Sequence, residues 1–475
     1  MAVTIAEKKL LVGGDWIETG EWIEVRSPYS NEVVGRVAKA GAAETKRAID
    51  AAAQAMRDPL PAHKRAEILV RVAMGLGRRH DEVARQISDE AGKPLKAARV
   101  EAKRAMSTYT FAAVEARKLA GEMVPMEGAQ AGEGKLGFTL RLPIGVVGAI
   151  TPFNFPLNLV AHKLAPALAA GCAVVLKPAS ATPLSALLLA ELADEAGLPP
   201  GWLNVVAGPS SEIGDALVED ERVKAITFTG STGDVWGLKE RAPKKKISLE
   251  LGNATPVIVA ADADVEAAAT AMAANAFAFA GQSCISVQRI YLERTVYDRF
   301  ITAFLPRVEA LKLGDPADEE TDVGPVIDED ARRRILEWIE EARAAGAEIL
   351  TGGEQQDGLI RPTVIANAAP DLKVSCDEVF GPVVTVNPVD SVDEAIELAN
   401  STRFGLQAGI FTNGLANALK AAQKLEFGGV TVNEAPTFRT DQMPYGGVKD
   451  SGNTREGPAY AVRELTEERL VVIDL

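Results

Sequence analysis

Apolar positions recur at three- and four-residue intervals over residues 43–56, 61–91 and 95–120, in stretches rich in Ala, Arg and Glu. That spacing predicts three long amphipathic helices. Short strand-like pieces precede them at Trp22–Arg26 and Glu32–Val37, broken by Pro28 and Gly35. The helical period lapses over 121–143, where Leu136–Pro143 alternates as a strand and the Gly-rich run 128–134 forms a hairpin tip. From 144 the pattern changes again. Short apolar runs at Gly145–Thr151, Ala173–Lys177, Leu203–Ala207, Ala225–Thr229 and Ile247–Leu251 alternate with helical segments, which predicts a parallel sheet covered by crossover helices on both faces. A second alternating region follows, with strands near Thr255–Ala260, Arg289–Leu292, Leu359–Ile365, Val383–Pro388, Ala408–Thr412 and Gly429–Asn433. Its helices fill 264–280, 295–312, 328–345 and 391–401. The last eight residues, 468–475, are apolar enough to dock as a strand.

The length of 475 residues fits two or three domains, at roughly 150 residues each. Fifty-one basic against 66 acidic side chains leave a net charge of −15, which repels phosphate polymers and argues against a nucleic-acid partner. The basic triplet Lys244–Lys246 reads as a solvated face. Three cysteines (Cys172, Cys284, Cys376) and three scattered histidines (His63, His80, His162) make neither a disulfide framework nor a metal-ligand cluster, so a reducing compartment and no metal are expected. No apolar leader opens the chain. The uncharged stretches 142–161 and 269–288 are interrupted by Pro143, Pro152 and Pro156 or dominated by Ala, Gly, Ser and Gln, so neither reads as a membrane span. A soluble, cytoplasmic protein without a membrane partner is the expectation.

Several strand-to-helix junctions carry small residues, among them Gly208 to Gly214 and Gly230-Ser231-Thr232. Such junctions aim free amides at an anion, although the GxGxxG spacing is absent. Cys284 lies between a predicted helix and a strand, where a thiol can be exposed and approach a helix end that favours the thiolate; a buried structural cysteine is the alternative, and Cys172 and Cys376 fit that better. Glu250 and Lys177 close apolar strands, where parallel sheets place ligands. Asn154, held between prolines and aromatics, is either a turn residue or an amide aimed at a developing oxyanion.

Seven blocks in order tie these residues together: TPFNFP (151–156), VVLKPAS (174–180), FTGST (228–232), LELG (249–252), GQSC (281–284), EVFGP (378–382) and PYGGVKDSG (444–452). With them the chain resembles the aldehyde dehydrogenase superfamily over essentially its whole length. The resemblance implies an α/β fold with two Rossmann-like parallel-sheet domains and a β oligomerisation flap. The NAD(P)-binding domain would span 1–120 and 144–251, the catalytic domain 252–455, and the flap and tail 121–143 and 456–475.

It also implies oxidation of an aldehyde to its acid. Cys284 would be the nucleophile, Glu250 the base for hydrolysis of a thioester, and Asn154 an oxyanion donor. Thr151, Pro152, Phe153, Lys177, Ser180, Gly208, Gly214, Phe228, Gly230, Ser231, Leu251, Glu378 and Phe380 would line the cofactor, with Lys177 and Glu378 on ribose hydroxyls and Phe380 beside the nicotinamide. Gly446 and Gly447 read as turn formers. Ser283 is small and uncharged, and Arg104 and Arg439 fall where relatives line the substrate tunnel, which points to a small polar hydroxyaldehyde or semialdehyde. An exposed edge strand of the kind expected at the tail implies a homodimer or homotetramer. Coenzyme-A-acylating relatives typically lack a Glu at the Glu250 position; a cofactor-free thiol hydrolase and a non-catalytic binding relative are the other readings.

The sequence departs from the family pattern at Asn253, where a second glycine is common, and at Ser180, where NAD-preferring members often carry an acidic residue. With serine there and Lys177 nearby, nothing repels a 2′-phosphate, and NADP is expected to be accepted at least as well as NAD. Steady-state kcat/KM for the two cofactors checks this; a ratio strongly favouring NAD would refute it.

Overall fold

The computed structural model describes residues 6–475. Five parallel strands, β1 (Val146–Ile150), β2 (Val174–Lys177), β3 (Leu203–Val205), β4 (Val223–Thr229) and β5 (Lys246–Glu250), stand in the spatial order β5-β4-β1-β2-β3. A hairpin of Leu10–Val12 and Asp15–Ile17 extends the sheet antiparallel to β3. These strands are short apolar runs because helices cover both faces; β2 and β3 are buried throughout. Helix α1 (Leu95–Lys118) packs on α2 (Asn158–Ala170), the crossover from β1 to β2, whose thirteen residues are all buried. Chain order reverses between β1 and β4, so their C-terminal ends flank a crevice.

A second seven-stranded sheet comprises β6 (Thr255–Val259), β7 (Val287–Glu293), β8 (Thr363–Ala366), β9 (Val383–Val389), β10 (Gln407–Phe411) and β11 (Gly429–Val432) in the order β8-β9-β7-β6-β10-β11, with Glu348–Thr351 antiparallel on β8. The crossover from β6 to β7 begins with α3 (Val265–Ala276), capped by the Asp264 side chain on the Ala267 amide. A third, antiparallel sheet pairs Lys135–Pro143 with both Met123–Val124 and the tail strand Thr466–Asp474. The tail therefore docks as a strand, and it leaves Leu470, Val472 and Ile473 exposed. No helix among the described residues is long and apolar enough to cross a membrane.

Three elements differ from the sequence pattern. The 61–91 helix is two, Ala62–Arg78 and His80–Ala91, separated at Arg79 (φ −103°, ψ 20°); both keep the same apolar period, so periodicity alone does not register the bend. The 264–280 helix ends at Ala276, and Phe279, Ala280 and Gly281 turn into the left-handed region at φ 50°, 52° and 70°. The 359–365 strand breaks into Leu359–Ile360 and β8 around Pro362, which has no amide to donate. The strand Glu348–Thr351 and the helices Leu415–Lys424 and Pro458–Glu464 lacked a clear enough pattern to be expected.

One buried ion pair joins the two halves. Glu101, on α1, accepts from the Leu157 and Asn158 amides at 3.0 Å each, closing the N-terminus of α2. Its other oxygen takes the Lys93 ammonium, which sits 3.7 Å over the Phe155 ring and 4.5 Å over Phe279. Both charged side chains are almost wholly buried. Lys93→Met leaves Glu101 charged and unpaired, and is expected to cost about 3–5 kcal/mol, read as a lowered denaturant midpoint. The double variant Lys93→Met/Glu101→Gln should recover a measurable part of that loss.

Candidate active site

The C-terminal ends of β1 to β5 bring Thr151, Lys177, Gly208, Gly230 and Leu251 to one edge of the first sheet. On either side of the crevice the hydroxyls of Thr151 and Thr229 are buried without a protein partner. The buried Lys177 ammonium donates only to the Pro178 carbonyl, at 3.2 Å, and desolvation brings its pKa down to about 8. Ser180 is exposed and donates to the Gly208 carbonyl at 3.2 Å. Gly208 lies against the Ala40 carbonyl, where a Cβ would come within 2.1 Å. Phe228 folds over Gly230, and Ser231 is exposed. Gly214 sits inside helix Ser210–Glu219 rather than at its start, so it offers no free amide to an anion; that part of the expected junction is carried by Ser210 and Ser211.

The second sheet meets this edge with the opposite ends of its strands. Cys284 precedes β7, Glu378 and Phe380 precede β9, and Gly252–Asn253 precede β6. The Phe380 ring packs edge-on against Phe153 of the loop after β1, centroids 5.8 Å apart, after Pro152. Phe380 itself holds a positive φ of 49°, strain that packing must sustain. Glu378 accepts from the Asn253 amide at 3.0 Å, and burial pushes its carboxyl up to about 7. A Cβ on Gly252 would lie 2.4 Å from the Glu378 carboxylate. Asn253 is a brace: its side chain binds Thr255, the Gln407 carbonyl and the Leu406 amide.

The left-handed run 279–281 leads into the loop that carries Cys284. Gly281 has φ 70°, and a Cβ there would fall 2.0 Å from the Gly381 carbonyl, so the Cys284 and Glu378 loops touch backbone to backbone. Asn154 donates to the Gln282 carbonyl, on the cysteine loop, at 3.0 Å, which leaves its second amide hydrogen without a protein acceptor. Ser283 Oγ accepts from the Ile285 amide at 3.5 Å. Cys284 is half-buried, with Sγ 2.9 Å from the Tyr445 hydroxyl. The expectation of a thiolate favoured by a helix end is corrected here. No helix begins at Cys284, and burial, with Glu378 and Glu250 close by, pushes the thiol up to about 12.

Glu250 is buried with neither carboxylate oxygen hydrogen-bonded. Burial first, then repulsion from Glu456, raises its pKa well above 4.5, against the pull of Arg439 and Lys163. Burial opposes ionisation of Glu456 as well, yet Lys163 at 3.5 Å and Arg439 at 2.8 Å hold that carboxyl down at about 2. The same burial therefore leaves two neighbouring carboxyls shifted in opposite directions, Glu250 upward and Glu456 downward. Gly446 is more than a turn former: a Cβ there would lie 2.6 Å from Glu250 Oε1.

Arg104 and Arg439 converge on one buried polar cluster. Arg104 donates through Nε and Nη2 to Asp441, at 3.2 and 3.0 Å. Asp441 also takes Asn158 and His162, at 3.3 and 3.1 Å. The Arg439 guanidinium lies 3.7 Å over the Tyr445 ring. Sequence reasoning missed Lys163, His162, Asp441, Tyr445, Glu456 and Gln282. A lone His or Gln carries no local signal, though Tyr445 and Gln282 lie inside quoted blocks. Gln282 anchors the cysteine loop through the Pro325 and Phe279 carbonyls and the Ile327 amide.

The model of the "Aldehyde dehydrogenase family" matches residues 16–471. The chain is 45% identical over 466 residues to the 3-sulfolactaldehyde dehydrogenase of Priestia megaterium, covering 98% of each. Among solved structures it is similar to an aldehyde dehydrogenase of Physcomitrella patens in complex with the reaction product succinate (39% identity, TM-score 0.95, 99% of each chain). It is also similar to the NADP complex of glyceraldehyde-3-phosphate dehydrogenase GapN from Methanocaldococcus jannaschii (39% identity, TM-score 0.92, 96% of this chain and 100% of that one).

Because the folded-state pKa of Glu250 exceeds its unfolded value, its contribution to stability is full below about pH 4.5 and is lost as pH rises. Glu250→Gln removes that loss. Its Tm is expected to exceed the wild-type value by about 2–4 °C at pH 7.5, with the difference closing below pH 4.5. Thermal melts across pH check it.

Proposed function

The chain belongs to the aldehyde dehydrogenase family, and from that premise we propose that it oxidises a small aldehyde bearing a hydroxyl and an anionic tail, through Cys284 and Glu250. The family makes it an NAD(P)-dependent oxidoreductase acting on aldehydes. The observation that carries the residue assignment is a half-buried thiol, on the loop whose Gln282 carbonyl Asn154 holds, together with a buried carboxyl that has no hydrogen-bond partner.

The strand ends of the first sheet fit a dinucleotide. Unpartnered Thr151 and Thr229 hydroxyls flank the crevice, Lys177 and Glu378 are placed for ribose hydroxyls, and Phe153 and Phe380 for an aromatic ring. Bound there, the nicotinamide supplies the acceptor for the hydride that leaves the tetrahedral carbon. The Cys284 sulfur forms that carbon by adding to the carbonyl, whose π pair moves to oxygen; the Asn154 amide and the Cys284 backbone amide donate to this oxyanion. Glu250 then takes a proton from water, which attacks the resulting thioester and frees the acid. A carboxyl with a raised pKa is a stronger base once ionised, which suits that step. The presence of Glu250 supports hydrolysis over transfer to coenzyme A.

Arg104 and Arg439 are the groups for the anionic tail, the feature that 3-sulfolactaldehyde and succinate share. Ser180, exposed and uncharged, supports acceptance of a 2′-phosphate. We assign cofactor binding to 1–120 and 144–251, and catalysis to 252–455. Residues 121–143 and the tail, with its exposed Leu470, Val472 and Ile473, would pair subunits into a dimer or tetramer. Three free cysteines support a reducing compartment, the cytoplasm.

A panel of sulfonate-, carboxylate- and hydroxyl-bearing aldehydes with NAD or NADP, read at the reduced-nicotinamide absorbance band, tests the proposal. Cys284→Ala should abolish turnover. Asn154→Ala should lower kcat about 100- to 1,000-fold. Glu250→Gln should retain a pre-steady-state burst of reduced cofactor while steady-state turnover falls. Activity retained in Cys284→Ala would refute the assignment.

A further inference from the structure

Tyr445 is not explained by the roles assigned so far. Its ring is 4% exposed and its hydroxyl has one polar neighbour, Cys284 Sγ, at 2.9 Å. A face of the ring carries the Arg439 guanidinium at 3.7 Å, itself fixed by Glu456 at 2.8 Å. The groups acting on Cys284 are thus one phenol, the acids Glu250 and Glu378, and the cation Arg439 over the phenol ring. We propose that Tyr445 is a further catalytic residue: its O–H donates to the Cys284 sulfur and stabilises the thiolate that attacks the aldehyde, with the Arg439 cation over the ring reinforcing the effect.

Three observations support the donor assignment. An S–H is a weak donor, whereas a phenol O–H is a strong one. Burial and the cysteine beside it raise the Tyr445 pKa well above 10.0, so the phenol keeps its proton. The two groups that favour sulfur ionisation are this hydroxyl and Arg439, both acting against desolvation and two acids. No proton leaves Tyr445. The thiol proton passes to water, the sulfur lone pair forms the C–S bond, and the Tyr445 hydrogen bond weakens as negative charge passes to the carbonyl oxygen. The role extends to hydrolysis of the thioester, where the sulfur leaves as the thiolate and regains the same hydrogen bond.

The inference rests on Cys284 as nucleophile, and the experiment separates the two. Alkylation by iodoacetamide is followed at pH 8, with the label at Cys284 located by peptide mass, in wild type, in Tyr445→Phe and in protein carrying 3-fluorotyrosine at 445. Loss of the hydroxyl lowers the thiolate fraction but makes the remaining thiolate more nucleophilic, so Tyr445→Phe should react about 3- to 10-fold more slowly. Fluorination makes the O–H more acidic at almost unchanged shape, so it should speed alkylation; a purely structural role for the ring would give no such response. Equal or faster alkylation of Tyr445→Phe, or indifference to fluorination, overturns the inference. Turnover that survives complete labelling of Cys284 overturns the nucleophile assignment and the inference with it.

Discussion

The contact between Lys93 and Glu101 is the constraint on which the site depends. Glu101 supplies the missing N-terminal acceptors of α2, and that fixes where the TPFNFP loop leaves β1. Lys93 lies against Phe155 of that loop and against Phe279 of the cysteine loop. A charged pair taken out of water holds only where its geometry is closely matched, so the two loops are clamped at one separation. The Asn154 bond to Gln282 is the short-range consequence.

Around that clamp, the sheets meet by unlike ends. The first offers the C-terminal ends of its parallel strands, where small residues and free hydroxyls leave room for a ligand. The second offers N-terminal ends, so its loops arrive carrying Cys284, Asn253 and Glu378. Close backbone approach at Gly281 and Gly381, and at Gly252 beside Glu378, is what lets the loops interlock. Glycine is required there by space, and at Gly281 by φ as well.

The same burial sorts the charges. Glu456, bonded to Arg439 and beside Lys163, is held down, while Glu250, which has no hydrogen bond to either cation, is pushed up by burial. Burial pushes the Cys284 thiol up as well, against the pull of the Tyr445 hydroxyl and Arg439. One low-dielectric pocket thus shifts one acid down and another acid and a thiol up, and direct bonds to cations decide the direction.

The sequence by itself determined the two parallel-sheet regions, the tail strand and the seven blocks that carry Cys284, Glu250, Asn154, Lys177 and Glu378. Strand periodicity, turn chemistry and short motifs are local, and they survive in one dimension. It registered neither the bend at Arg79 nor the end of α3 at Ala276, because helical period continues through both. Only the tertiary structure decided that Arg104, His162 and Asp441 share one network, that Gln282 and Lys93 brace the loops, and that Tyr445 lies on Cys284. Those pairings join residues tens to hundreds of positions apart. Their energy comes from desolvation and distance, which exist only once the sheets have packed.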